Sequence, residues 1–298
     1  MREATKGIIA MVATCTVWGL SGIYYKLLAH IPPIEILAHR TLWSCAFFAL
    51  VLLVQGRLHM LGRALAGRRS VLSIGFAALM ISTNWFVFIT SIQIGKAMEA
   101  SLGYYIFPLV AVLLGAVAFR ERLGRAQLFA VALALCAVVT LTLGLGVPPW
   151  IALVLASSFG LYGLVKKGLS VGPVVSVTAE VLLLSPIALT VLWFFHSGGG
   201  GAFGANWRDS ALLAFSGILT GTPLIMFSYA TRRIALATVG LVQYLNPSLQ
   251  FLVATFLFLE PFSLWHALAF GMIWTALAIY TTASLRQDRA ARRAVPRV

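Results

Sequence analysis

The chain has 298 residues, of which 60% are hydrophobic and only 10% charged, and its mean hydropathy is +0.95. A water-soluble domain carries roughly a quarter charged residues, so this composition excludes a protein surrounded mainly by water. The net charge of +14 does not point to nucleic acid, because the 22 Lys and Arg form no long patch interleaved with aromatics and fall in small groups between apolar runs.

A helix needs about 20 apolar residues to cross a bilayer. Hydropathy predicts ten such helices, at 7–28, 34–55, 72–94, 98–118, 126–145, 149–168, 174–196, 209–231, 236–258 and 264–284. The first follows Arg2 and Lys6. It is too long for a secretion-signal core and lacks a small-residue cleavage site, so it reads as a retained helix. The runs lack the alternation of lipid-facing barrel strands. Cys15, Cys45 and Cys136 are far apart and show no CxxC or Cys/His spacing, so neither a metal site nor a disulfide framework is predicted. No residue pattern calls for a cofactor.

In chain order, the first helix carries Trp18, Ser21, Gly22 and Tyr25 on one face, at i, i+3, i+4 and i+7. The second contains Arg40, about six residues deep, where an ionisable group is costly unless it faces a cavity or a partner. The third adds Asn84, Trp85 and Gln93. The fourth opens with Glu99 three residues after Lys96, which suits a carboxylate at a helix N-terminus. It then aligns Ser101, Tyr104, Tyr105 and Pro108. On the sixth, Phe159, Tyr162, Gly163 and Lys166 reproduce the face of the first. The seventh holds Glu180, about seven residues deep. Residues 197–201, Ser-Gly-Gly-Gly-Gly, are a flexible linker by composition. The ninth aligns Gly240, Gln243, Tyr244 and Pro247 as the fourth does its own set. The basic stretch after Leu285 reads as a solvated tail beside anionic lipid. For each aromatic or polar residue taken singly, helix packing competes with ligand contact. As a set they describe an aromatic, mildly polar cavity.

The positive charges set a predicted orientation. With the N-terminus inside, 18 of the 22 basic residues fall on inside segments, while Lys26, Lys96 and Arg208 lie outside and Arg40 lies within a helix. Both termini are then cytoplasmic.

The halves match at an offset of about 140 residues: Trp18 to Gly22 with Phe159 to Gly163, Pro33 with Pro173, Tyr105 to Pro108 with Tyr244 to Pro247, and Glu121 with Glu260. A unit of five helices must enter the membrane from opposite sides in its two copies. The predicted fold is therefore an all-α integral membrane protein of ten transmembrane helices in two inverted five-helix repeats, 1–147 and 148–285, with a basic tail at 286–298. Inverted repeats recur in secondary transporters, with the solute site near the midplane. Duplication in a channel or scaffold is the competing account. Arg40 and Glu180 are repeat equivalents at mirrored depths. Either they serve a shared cavity, where a desolvated carboxylate can take up a proton as access switches, or they are structural charges, with Glu180 reaching a partner such as His39. No P-loop, GxSxG elbow or HExxH motif is present, which leaves a primary pump or an embedded enzyme without sequence support.

Glu35-Ile36-Leu37-Ala38-His39-Arg40 with Trp43-Ser44, Asn84-Trp85, Glu99 through Tyr105, Glu121-Arg122, Tyr162 through Lys167, and Gln243-Tyr244 with Pro247 together resemble the RarD type of EamA-domain transporters, in the drug/metabolite transporter superfamily. The resemblance runs from about residue 5 to 285. It implies ten helices, two EamA repeats, a bacterial cytoplasmic (inner) membrane location and a family association with chloramphenicol sensitivity. It also implies a central cavity lined by helices one to four and six to nine, with the fifth and tenth peripheral. The expected partners are a small-molecule substrate and the lipid bilayer, with no nucleic acid, no metal and no cofactor. The candidate substrate or coupling residues are Trp18, Tyr25, Arg40, Asn84, Trp85, Ser101, Tyr104, Tyr105, Tyr162, Glu180, Gln243 and Tyr244.

Overall fold

A computed structural model describes residues 3–119, 124–169, 171–234 and 236–294. Glu121, Arg122 and Arg120 lie outside the described residues, so the predicted Glu121–Glu260 match is not addressed by it. Among the described residues the only extended pairing is an isolated bridge between Phe203 and Asn206, and every other element is helical.

The helices are α1 (Glu3–Leu27), α2 (Pro33–Val54), the short α3 (His59–Ala64), α4 (Arg68–Gln93), α5 (Ala97–Phe119), α6 (Arg125–Leu145), α7 (Trp150–Lys167), α8 (Pro173–Ser197), α9 (Trp207–Thr231), α10 (Leu236–Gln243), α11 (Leu245–Leu252) and α12 (Leu264–Ala294). Nine of them are long and apolar enough to span a bilayer among the described residues. The predicted span at 236–258 is not one helix: α10, α11 and a π-turn (Val253–Leu257) share it. Pro247 has no N–H to give the carbonyl of Gln243, and its ring crowds that carbonyl, so the helix breaks at Tyr244. α12 continues helically to Ala294, through part of the stretch expected as a basic tail.

Local chemistry sets the helix ends. Pro33 and Pro173 each stand in the first turn of α2 and α8, where the missing N–H costs nothing. Asn206 caps α9 by accepting the N–H of Asp209 at 2.8 Å. Gly146 closes α6 in the left-handed region at φ 71°. Glu260 reaches across the chain to α5 and accepts the N–H groups of Ala97 and Met98 at 2.6 and 2.7 Å. Glu99 likewise accepts Ile151 N–H at 2.9 Å at the start of α7, while its other oxygen lies 3.7 Å from Lys96. The expected helix-terminus role of Glu99 is thus met in a neighbouring helix as well as its own.

α1 packs on α9 and α11, α2 on α8 and α9, α4 on α7 and α8, α5 on α7 and α11, and α6 on α12. Glycines allow the closest approaches. A Cβ on Gly103 would meet the backbone of Ala152 at 2.8 Å, and one on Gly217 would strike the backbone of Trp43. α6 and α12 are the least buried spans. Large apolar groups such as Val54, Val117, Leu143, Trp193 and Phe194 stand fully outward, an arrangement that suits hydrocarbon and not water.

Candidate substrate site

Arg40 is only 8% exposed and projects from α2 into the helix bundle. Its Nε donates to Thr220 Oγ1 on α9 at 3.0 Å, and one Nη1 N–H donates to the Tyr25 hydroxyl on α1 at 2.7 Å. The guanidinium lies over the Trp85 ring of α4, 4.0 Å from its centroid. A cation over an indole face is stabilised by the ring quadrupole, more so when desolvated. No carboxylate pairs with Arg40 among the described residues.

Glu180, on α8, is 1% exposed and fully partnered. Lys166 Nζ lies 2.6 Å from its Oε1, Ser176 Oγ donates to the same oxygen at 2.8 Å, and Tyr162 O–H donates to Oε2 at 3.2 Å. The counter-ion of Glu180 is therefore Lys166, neither Arg40 nor His39. His39 instead stacks on Phe203 at 5.1 Å. A buried carboxylate with three donors is held firmly in one place.

An aromatic ladder joins the two ionic centres. From Arg40 it runs through Tyr25, Phe88, Tyr104, Phe159 and Tyr162 to Glu180, with successive ring centroids 5.9, 5.9, 6.1 and 6.1 Å apart. The first three contacts are edge-to-face, a favoured arrangement. Asn84 braces it: its Oδ1 accepts from Tyr104 O–H at 2.9 Å, and its Nδ2 donates to the Leu155 carbonyl and to Ser158 Oγ on α7. Trp85, Tyr104, Phe159 and Tyr162 keep part of their surface accessible.

The remaining predicted residues lie elsewhere. Trp18 packs against Phe227 of α9 at 5.9 Å. Ser101 donates to the Pro247 carbonyl at 2.8 Å, tying α5 to the broken stretch. Tyr105 bonds Ser248 at 2.6 Å and, with Tyr244, Trp274 and Thr281, lines a separate groove of about 570 Å³ against α12. Gln243 is half-buried and has no side-chain hydrogen bond among the described residues. Three members of the ionic network were not singled out as site residues from the sequence. Lys166 had a signal, since the repeat register sets it opposite Tyr25. Ser176 and Thr220 had none, because nothing local distinguishes them from other helical hydroxyls.

A bundle of apolar helices long enough to span a bilayer, with charges buried among them and held by polar groups, is the construction of a multi-pass membrane protein. The family model described as the EamA-like transporter family matches residues 5–143. Two relatives extend over nearly the whole chain. The uncharacterized transporter YojE of Bacillus subtilis is 40% identical, covering 97% of this chain and 98% of its own. Protein RarD of Streptomyces exfoliatus is 39% identical, covering 97% and 92%. A solved crystal structure superposes with a TM-score of 0.63 at 18% identity, covering 94% of this chain and 98% of the other, a likeness of fold alone. The chain belongs to the EamA family and is a RarD-type transporter of the drug/metabolite transporter superfamily.

Proposed function

We propose that this protein is a secondary carrier that moves a small organic solute across a bacterial inner membrane by alternating access, using two inverted five-span halves, 1–147 and 148–285. In this reading α10, α11 and the π-turn form a broken ninth crossing, ten crossings result, and both termini are cytoplasmic. Broken crossings are tolerated where the freed backbone lines a protein cavity.

The observation that carries the proposal is a packing scheme that survives exchange of the halves. Let α1, α2, α4, α5 and α6 correspond to α7, α8, α9, the α10–α11 stretch and α12. The α1–α9 contact then becomes α7–α4, α1–α11 becomes α7–α5, and α2–α9 becomes α8–α4, while α2–α8 and α6–α12 map onto themselves. Individual contacts follow the same rule. A Cβ on Gly19 would meet Leu249, and one on Gly160 would meet Val110. Tyr25 bonds Arg40 as Lys166 bonds Glu180. Two halves packed alike around one axis can exchange conformations at similar energy, which alternating access requires.

Proton coupling through Glu180 belongs to the same proposal. Opening the Lys166–Glu180 pair during the access change leaves a buried carboxylate that a proton can neutralise. The test is transport into proteoliposomes across a pH series, the solute chosen by thermal-shift screening of the purified protein against a metabolite library. Wild-type rates are expected to vary with pH and the Glu180→Gln variant to lose that variation. A Glu180→Gln protein with the wild-type rate and pH profile removes Glu180 from the mechanism.

A further inference from the structure

We infer that Arg40 and Tyr25 form a recognition site for the oxyanion of an aromatic organic acid; this rests on the carrier reading above and names its substrate class. A guanidinium presents five N–H donors. Thr220 takes the Nε hydrogen and Tyr25 takes one from Nη1. The other three, one on Nη1 and two on Nη2, have no acceptor among the described residues, so each of these nitrogens keeps a hydrogen for a two-point fork. That fork matches the two oxygens of a carboxylate. Tyr25, 2% exposed, accepts from Arg40, and its own hydroxyl hydrogen has no acceptor among the described residues. It therefore stands beside the fork as a further donor.

Charge points the same way. Lys166 and Glu180 neutralise each other at 2.6 Å, whereas Arg40 has no ion-pair partner among the described residues. Tyr25, Thr220 and the Trp85 face lessen its cost but are all neutral. A buried cation with unfilled donors is strongly stabilised by a monoanion. The part-accessible ring against the guanidinium is Trp85, and further along the ladder Tyr104, Phe159 and Tyr162 also keep part of their surface accessible. They favour a flat apolar body on that anion.

The experiment compares benzoate, the neutral isostere benzamide and the cation benzylammonium, by thermal shift and by intrinsic tryptophan fluorescence of the purified full-length protein. Benzoate is expected to raise the melting temperature and perturb the fluorescence, and the other two to do neither. Tyr25→Phe keeps the ring and loses the donor, and should weaken benzoate binding about tenfold, the scale of one hydrogen bond to a charged group. Arg40→Gln should abolish it. Should Arg40→Gln not fold, Arg40→Lys, which keeps the charge and loses the fork, is expected to bind benzoate more weakly than wild type. Equal responses to benzamide or benzylammonium, no response to benzoate, or unchanged benzoate affinity in Tyr25→Phe and the Arg40 variants would overturn the assignment and leave the carrier reading standing. Benzoate binding with no counterflow of labelled benzoate in proteoliposomes would overturn the carrier reading and leave the anion site.

Discussion

At the scale of single residues, two buried charges of opposite sign are handled differently. Glu180 is neutralised locally by Lys166 and two hydroxyls, whereas Arg40 is held by neutral groups and an indole face. Breaking a buried ion pair strands one charge without a partner. Lys166→Met should therefore destabilise the protein by about 2–4 kcal/mol, slightly less than for a fully enclosed pair because Lys166 is 20% exposed. The double variant Lys166→Met/Glu180→Leu should recover most of that loss, because no charge is then left alone. Thermal melts in detergent check both. That an intramembrane Arg and Glu would matter was legible from their rarity alone. Their partners were not, since Thr220 is 180 residues from Arg40 along the chain and is brought to it by α9.

At the scale of elements, helix positions depend on close backbone contact and on carboxylates that cap neighbours. Gly103→Ala would push a methyl into the Ala152 backbone at 2.8 Å, where no side chain can move aside, and should cost about 1–3 kcal/mol. Gly75 lies within α4 with open space around its Cβ position. Gly75→Ala should therefore be neutral or stabilise by about 0.5–1 kcal/mol, the ordinary helical preference for Ala. Glu260→Ala would release two N–H groups at the start of α5 and should cost about 1–3 kcal/mol, part of it restored by Gln. Unfolding midpoints of the four variants separate these effects. The nine continuous spans were readable because each is a long apolar run. The break at Tyr244 was signalled by Pro247, yet Pro108, Pro186 and Pro223 sit inside helices that continue. Proline alone does not decide whether a helix stops, because its neighbours determine whether the freed carbonyl is satisfied.

At the scale of the whole molecule, the two-half scheme makes a topological demand. Single cysteines placed at Lys6 and at Arg293, in a background lacking Cys15, Cys45 and Cys136, should both resist a membrane-impermeant thiol reagent in intact cells and react once the membrane is opened. Reaction of one end alone in intact cells would place the termini on opposite faces and end the five-span repeat.

The membrane environment and the approximate limits of the nine long spans were determined by the sequence itself. Hydropathy, charge placement and residue matches are local or periodic signals that need no contacts to be read. The division of the candidate residues was decided only by tertiary packing. Arg40, Tyr25, Trp85, Tyr104, Asn84, Tyr162 and Glu180 share one connected network, while Tyr105 and Tyr244 face a different groove and Trp18 a different helix. A helix face specifies which residues point together, but which neighbour receives that face depends on how all the helices cross. That geometry arises only when distant segments pack.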